Sequence, residues 1–457
     1  VAVDGQHRIS ALKMLLDDEQ VDPLVSKMNI PILVIGFSKS KNLIEGHYVP
    51  SLLDVVRQTF VYINNKSQKI NESRAILLDN EDINCLAVQE VIQFAHDNDN
   101  NLDDAPTENS SNIPLVMFDW RGEEKKGRPI SGPASLFSVR DVKDWFTEYL
   151  LGDVSGKGSE KAIREKIIPR LDLESMNARL NTEDLKGLNH KNSDIARNQV
   201  KKILIPSVIF MLENLDPFKK YINEIRKLQH KTNSEMSREG RVAYKWICFG
   251  KSKVKDSLKE SDVDVAWSSM ARDLGMLKSK LPTLLSRDIG IRAIWSSYSM
   301  LYDLISEDKK ESQDWLAFSK WYLKLANEII NEGWFRGIDV LQPMVKDKRE
   351  KLTHIVYTRS GEIVNYKLEA SPKGFGAFIM MLILQLHGDQ SLKEKAWDNL
   401  QDGLIATVST GFRRDVKEQM EIDGFGGTPA VVREEAKRLL IIETSKWDNS
   451  MRSFFGI

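Results

Sequence analysis

The chain has 457 residues, 65 Lys and Arg against 66 Asp and Glu for a net charge of −1, and 41% hydrophobic residues. That length exceeds one compact core and predicts two or three domains, while the balanced charge excludes a chain basic throughout and the apolar content excludes wholesale disorder. The two cysteines, Cys85 and Cys248, stand far apart in no Cys/His ligand spacing, which excludes a disulfide framework or zinc finger and fits a reducing, cytoplasmic setting.

Val1 to Val3 reads as a strand that breaks at Asp4-Gly5, after which Ile9, Leu12, Leu15 and Leu16 recur at helical spacing. Since Val1 already looks like mid-strand and no initiator Met precedes it, the reading is of a fragment truncated at its N-terminus. Ile30 to Phe37 is a continuous apolar run, a second buried strand. Leu53, Val56, Phe60 and Ile63 then share a helix face that stops at Asn64-Asn65, Asn71 caps a further helix, and Asp79 to Asp82 opens one running to about Ala95. Residues 96 to 112 hold turn formers and acids with almost nothing to bury, which predicts a flexible acidic linker or loop.

Ile113 to Trp145 mixes short strand-like runs with turns. Helices are predicted over Ile203–Leu212, Trp267–Leu281, Ala293–Leu304 and Trp315–Ile330, with Trp267, Trp295, Trp315, Trp321 and Trp334 as core residues. Ile355 to Thr358 and Ile363 to Tyr366 flank a turn and predict a small β-hairpin. The longest apolar stretch, Phe375–Leu386, is shorter than the roughly 20 residues a membrane-spanning helix needs, so no membrane partner is expected.

The chemistry concentrates at Asp4-Gly5-Gln6-His7-Arg8. A strand that turns through Asp-Gly into a helix aims backbone N–H groups and the positive helix end at one point, a place for phosphate. Gly5 and Gln6 would border the anion, Arg8 would fork onto its oxygens, Asp4 would hold a metal or water, and His7 could act as acid-base group. The plainer reading, that Asp4 caps the helix and the rest is solvated, stays open on spacing alone. So does the plain reading of Arg57, Phe60 and Asn64 as one face of a packed helix.

The pentad, followed by Ala11-Leu12, together with Arg57-Gln-Thr-Phe60-Val-Tyr-Ile63-Asn64-Asn65-Lys66, resembles the DGQHR-domain proteins, a family of ParB/sulfiredoxin-like fold that includes the DndB component of bacterial DNA phosphorothioation systems. The likeness covers residues 1 to about 95 and extends to about 150, where Pro129–Leu136 is similar to a later family segment. It implies an α/β, ParB-like core at 1–95 and its continuation in mixed strands and helices at 113–200; the residue patterns themselves place the linker at 96–112 and a mainly α region with its small hairpin at 201–457. It also implies a protein of DNA-modification or defence systems that binds nucleotide at Gly5, Gln6, Arg8, Arg57 and Asn64, with Asp4, His7 and Arg8 as catalytic residues if it hydrolyses ATP with a divalent metal. A non-catalytic DNA-binding regulator and an assembly subunit for DNA-modification enzymes are the alternatives. No zinc or haem site is read from the sequence.

Charge is unevenly spread. From Ala75 to Trp120 there is no Lys or Arg and the net charge is −10, whereas Lys219 to Lys259 carries +8 with Tyr221, Tyr244, Trp246 and Phe249 between. Lys219, Lys220, Arg226, Lys227, Lys231, Arg238, Arg241 and Lys245 are therefore the candidate DNA contacts, with the aromatics either stacking on bases or packing inward. Gly152 to Ser159 resembles a phosphate loop but is one residue short of GxxxxGK[ST] and reads as a turn with Ser159 as N-cap. Thr428-Pro429 predicts a capped helix start, and Lys373 to Phe378 a turn leading into the apolar helix.

Overall fold

The computed structural model describes residues 71–99, 113–309, 314–335, 372–400 and 420–457, apart from 122–123, 126–127, 130–131, 157, 176–178, 235–236, 250–258, 283, 287 and 425–427. The expected strands at Val1–Val3 and Ile30–Phe37, the helix from Leu52 and the hairpin at 355–366 lie outside the described residues. Of the ParB-like core expected at 1–95, only residues from 71 onward are described, and these are helical.

Helix α1 (Glu72–Leu78) opens at Asn71, whose Oδ1 accepts from the Ser73 N–H at 2.8 Å, as the sequence predicts. Helix α2 (Ile83–Asp99) starts behind Asp82, whose Oδ1 accepts from the Asn84 N–H at 2.8 Å. Positions 83 to 88 are all buried, so the first half of this helix is enclosed on every side, while Gln93 and Asp97 in its second half are exposed. It runs through His96 to Asp99, so the first residues assigned to the linker are helical.

Two minimal sheets follow. Strand β1 (Phe118–Asp119) pairs in parallel with β4 (Phe137–Ser138), and β2 (Glu124–Lys125) pairs antiparallel with β3 (Arg128–Pro129). Everything else of regular structure among the described residues is helical, which gives the mainly α C-terminal region expected and makes 113–200 far richer in helix than in strand.

Helix α3 (Val139–Asp144) starts in a capping box between Ser138 and Asp141 and continues as a π turn, Trp145–Leu150. Helix α4 (Ser159–Ala162) leads through a π turn, Ile163–Ile167, into α5 (Ile168–Arg170). Its cap is Gly158 at φ 97°, with Ser159 the first helical residue: the left-handed backbone suits glycine, so the cap falls one residue before the predicted serine. After α6 (Thr182–Lys186), helix α7 (His190–Gln199) passes through a third π turn, Val200–Leu204, into α8 (Ile205–Asn214). Two of these π turns directly precede Pro169 and Pro206 in their helices. Each proline lacks an N–H and crowds the carbonyl four residues back, and a widened turn relieves both.

The remaining helices are α9 (Asp216–Ser234), α10 (Arg238–Phe249), α11 (Glu260–Ser279), α12 (Asp288–Lys309), α13 (Trp315–Asn331), α14 (Pro372–His387), α15 over 390–400, and α16 (Pro429–Phe455). Thr428 and Pro429 take the cap and first-turn positions predicted, without a side-chain capping bond. Lys373 to Phe378 lies inside α14 and not in a turn before it.

One aromatic core joins the two sides of residue 200. Phe137 meets Trp145 and Phe218 edge-on at 4.8 and 5.5 Å between centroids, Trp145 lies 5.8 Å from Trp295, and Tyr302 stacks on Trp315 at 3.8 Å. Trp295, Trp315 and Trp334 are buried as predicted and Trp321 is half-buried, but Trp267 is 38% exposed on α11, beside Val265 and Met276 on a helix that otherwise buries only Val263, Met270 and Leu274. A single helical residue at the right spacing does not reveal which side of the stripe it occupies.

Candidate functional site

Helices α9 and α10 carry the basic segment, and their amphipathic pattern decides what each residue can reach. Ile222 and Ile225 on α9, with Val242, Ala243 and Ile247 on α10, face the core, which turns Lys219, Lys220 and Lys227 outward on α9 and Arg238 and Arg241 outward on α10. Lys245 is half-exposed; the side chain of Lys231 lies outside the described residues. Arg238, Arg241 and Lys245 recur at spacings of three and four, so they share a helix face. Lys227 is paired with Glu224 at 2.8 Å, a surface pair that water screens.

Arg226 departs from the expectation. It is 3% exposed, donates to Gln229 Oε1 at 2.6 Å, and lies near enough to Glu213 for its charge to act on that carboxyl. It is a core residue and cannot present its guanidinium to a phosphate backbone in this arrangement. The aromatics also face inward: Tyr221, Tyr244 and Trp246 are buried, and the Tyr221 hydroxyl donates to the Ala134 carbonyl at 2.7 Å. Among the described side chains of this segment, what remains outside is a set of cations without a stacking aromatic; the side chain of Phe249 lies outside the described residues.

Asp4, Gly5, Gln6, His7, Arg8, Arg57 and Asn64 lie outside the described residues. The loop at Gly152–Ser159, the other phosphate-loop lookalike, is committed to itself. The Asp153 Oδ1 accepts from the Ser155 N–H at 2.9 Å and the Ser155 hydroxyl at 3.0 Å, and these bonds, the backbone one foremost, hold its carboxyl below the usual range. A carboxylate already fills the place a phosphate would take.

The sequence reading missed one cluster. Asp79, Asp82 and Cys85 bring a carboxylate, a carboxylate and a thiol within 4.8 Å of one another, and the Lys143 ammonium reaches across from α3 to Asp82 Oδ2 at 2.9 Å. The spacing of three between successive members is visible in the sequence; the lysine, which comes from a distant helix, is not. The Cys85 Sγ lies 3.6 Å from Asp82 Oδ2 and 3.8 Å from Asp79 Oδ2. Burial first, then the charges of Asp82 and Asp79, push the thiol well above its ordinary value, which keeps it protonated and a poor nucleophile. Burial alone would lower Lys143, but the Asp82 charge and the adjoining Cys85 outweigh it and hold the ammonium charged. With a lysine already supplying the positive charge and the other carboxylate oxygens capping α2 and the Glu81 N–H, the cluster works as a clamp between α2 and α3.

The raised Cys85 fixes a sign for pH dependence. The folded state holds the thiol proton above the pH, about 8.5, at which the unfolded chain releases it, so stability is complete below that value and falls as pH rises through it. Urea unfolding between pH 8 and 9.5 should show a decline approaching ~1.4 kcal/mol per pH unit from this group, and Cys85→Ala should flatten it. An unchanged slope in the variant would contradict the assignment.

No protein-family model, no curated protein and no solved structure matches the chain.

Proposed function

We propose that the chain is a DNA-associated protein of a DNA-modification or defence system, holding a nucleotide phosphate at Asp4–Arg8 and meeting the DNA backbone through α9 and α10. The observation that carries the reading is the literal Asp-Gly-Gln-His-Arg pentad with the Arg57–Lys66 block downstream. In this proposal Arg8 clamps phosphate, Gly5 lets the backbone approach, Gln6 and His7 complete the polar pocket, and Arg57 and Asn64 support the turn. Asp4 is the residue suited to hold a divalent metal, whose contribution would be charge neutralisation on the phosphates of ATP. Neighbouring DNA-modification enzymes are the proposed protein partners.

ATP hydrolysis by the protein, measured with and without DNA beside Asp4→Ala and Arg8→Ala, tests the catalytic part. Loss of turnover in both variants is expected; equal rates in all three would remove it.

The second reading, a non-catalytic DNA-binding regulator, is favoured by the inward-facing Tyr221, Tyr244 and Trp246. With these three aromatics buried, the exposed Lys219, Lys220, Arg238 and Arg241 offer charge alone, hence binding that depends strongly on salt and weakly on sequence. Changing those four to Ala should reduce the log–log salt slope of DNA affinity by about 3 to 4, at about 0.9 for each phosphate no longer neutralised. An unaltered slope would dismiss this face.

A further inference from the structure

A cavity of about 590 Å³ opens where the first turns of α9, the last turn of α11 and the end of α13 come together. Its volume falls within the roughly 300–1,000 Å³ of sites that hold small organic molecules. Pro217, Leu277, Leu281, Pro282 and Ile330 supply apolar wall, and the polar wall is Asp216, Lys220, Tyr221, Glu224, Lys280 and Asn331.

Most of those polar groups are already engaged. Asp216 Oδ2 accepts from Asn331 Nδ2 at 2.9 Å, Glu224 Oε1 accepts from the Lys227 ammonium at 2.8 Å, and the Tyr221 hydroxyl donates to the Ala134 carbonyl. Lys220 and Lys280 differ: neither ammonium has an ion pair among the described residues, and they stand on different helices bordering the same cavity. The two ammonium groups are thus the lining cations without a counter-charge of their own, above an apolar wall, while the Asp216 carboxylate keeps its charge beside Asn331 in the first turn of α9.

We infer that this cavity binds a small organic anion, a carboxylate or phosphate on an apolar body, with Lys220 and Lys280 on the anionic group and Leu277, Leu281, Pro282 and Ile330 under the body. Both lysines are exposed, so each contributes modestly and removal of both costs about tenfold in affinity. None of the lining residues belongs to the Asp4–Arg8 turn. Lys220 also belongs to the proposed DNA face, whereas Lys280 does not, and that separates the two.

Isothermal titration of the whole chain with phenyl phosphate and with benzoate tests it, using phenol, benzylamine and inorganic phosphate as controls. Saturable binding of at least one of the two anions, at least tenfold tighter than any control, is expected, and whichever is tighter assigns the head group. Lys280→Gln should weaken that anion several-fold while leaving the salt slope of DNA binding as it was, and Lys220→Gln with Lys280→Gln should weaken it about tenfold. The inference is overturned if neither anion binds, if phenol or benzylamine binds as tightly, if inorganic phosphate matches phenyl phosphate, or if the double variant leaves both affinities unchanged.

Discussion

Arg170→Ala should lower the unfolding free energy by about 3–5 kcal/mol, the range for removing one member of a buried charged network. Arg170 is buried at the end of α5, and its guanidinium donates to the Tyr149 carbonyl at 3.0 Å, the Leu150 carbonyl, the Ser299 hydroxyl at 3.1 Å and Asp303. The two carbonyls close the π turn after α3, where a helix end has no backbone donors left for them. A cation there also meets the negative end of the helix. The same side chain lies 5.7 Å from the Tyr302 ring centroid and 5.8 Å from that of Trp315, while Trp315 Nε1 donates back to the Arg170 carbonyl at 3.0 Å.

Truncation therefore strands buried acceptors and opens a gap beside two stacked aromatics. Arg170→Lys should recover only part of the loss, because a point charge cannot serve two carbonyls, a hydroxyl and a carboxylate from one plane. Asp303 is partly exposed and Asn keeps an acceptor oxygen, but the buried Arg170 cation loses its carboxylate, so Asp303→Asn should cost about 1.5–3 kcal/mol, less than Arg170→Ala. Urea unfolding monitored by tryptophan fluorescence separates these outcomes. A loss under about 1 kcal/mol for Arg170→Ala would show that water replaces the guanidinium without penalty.

What is legible in the sequence depends on range. Asn71 as a cap, the helix expected over Trp315–Ile330 and found over Trp315–Asn331, and the burial of Trp295 and Trp334 are readable because they follow from local chemistry and helical period. Arg226 is misread because a cation in a charged run looks solvated whichever side of the stripe it occupies, and here the side holding Ile222 and Ile225 faces inward. Glycine carries a similar ambiguity. Gly158 is a left-handed cap, whereas Lys373-Gly-Phe-Gly reads as a turn and is helix, since glycine marks close approach as well as chain reversal. The Asp79–Asp82–Cys85 clamp and the anion cavity are not legible, because each is completed by a lysine from a distant element, Lys143 in one case and Lys280 in the other.

That second role of glycine sets the last expectation. In an exposed helix, Gly→Ala adds roughly 1 kcal/mol through the lower backbone entropy of the unfolded chain. At Gly376 in α14 the sign should reverse. A Cβ there would stand 2.6 Å from Ser296 Cβ, 2.7 Å from Ser296 Oγ and 3.0 Å from the Ala293 carbonyl oxygen, all on α12 and two of them fixed close to its backbone. Rotating the serine side chain cannot relieve the Cβ contact, so the helices must separate. Phe375, Ala377, Phe378, Ile379 and Met380, buried around the contact, would lose packing with them. Overpacking of this kind costs about 1–3 kcal/mol, which outweighs the entropic gain. Gly376→Ala should therefore destabilise the protein, and adding Ser296→Gly, which deletes the nearest Cβ, should restore part of the loss in the double variant. Thermal and urea unfolding of the two single variants and the pair form a double-mutant cycle. Additive effects, or a stabilised Gly376→Ala, would show that the approach of α12 to α14 leaves room for a methyl group at this position.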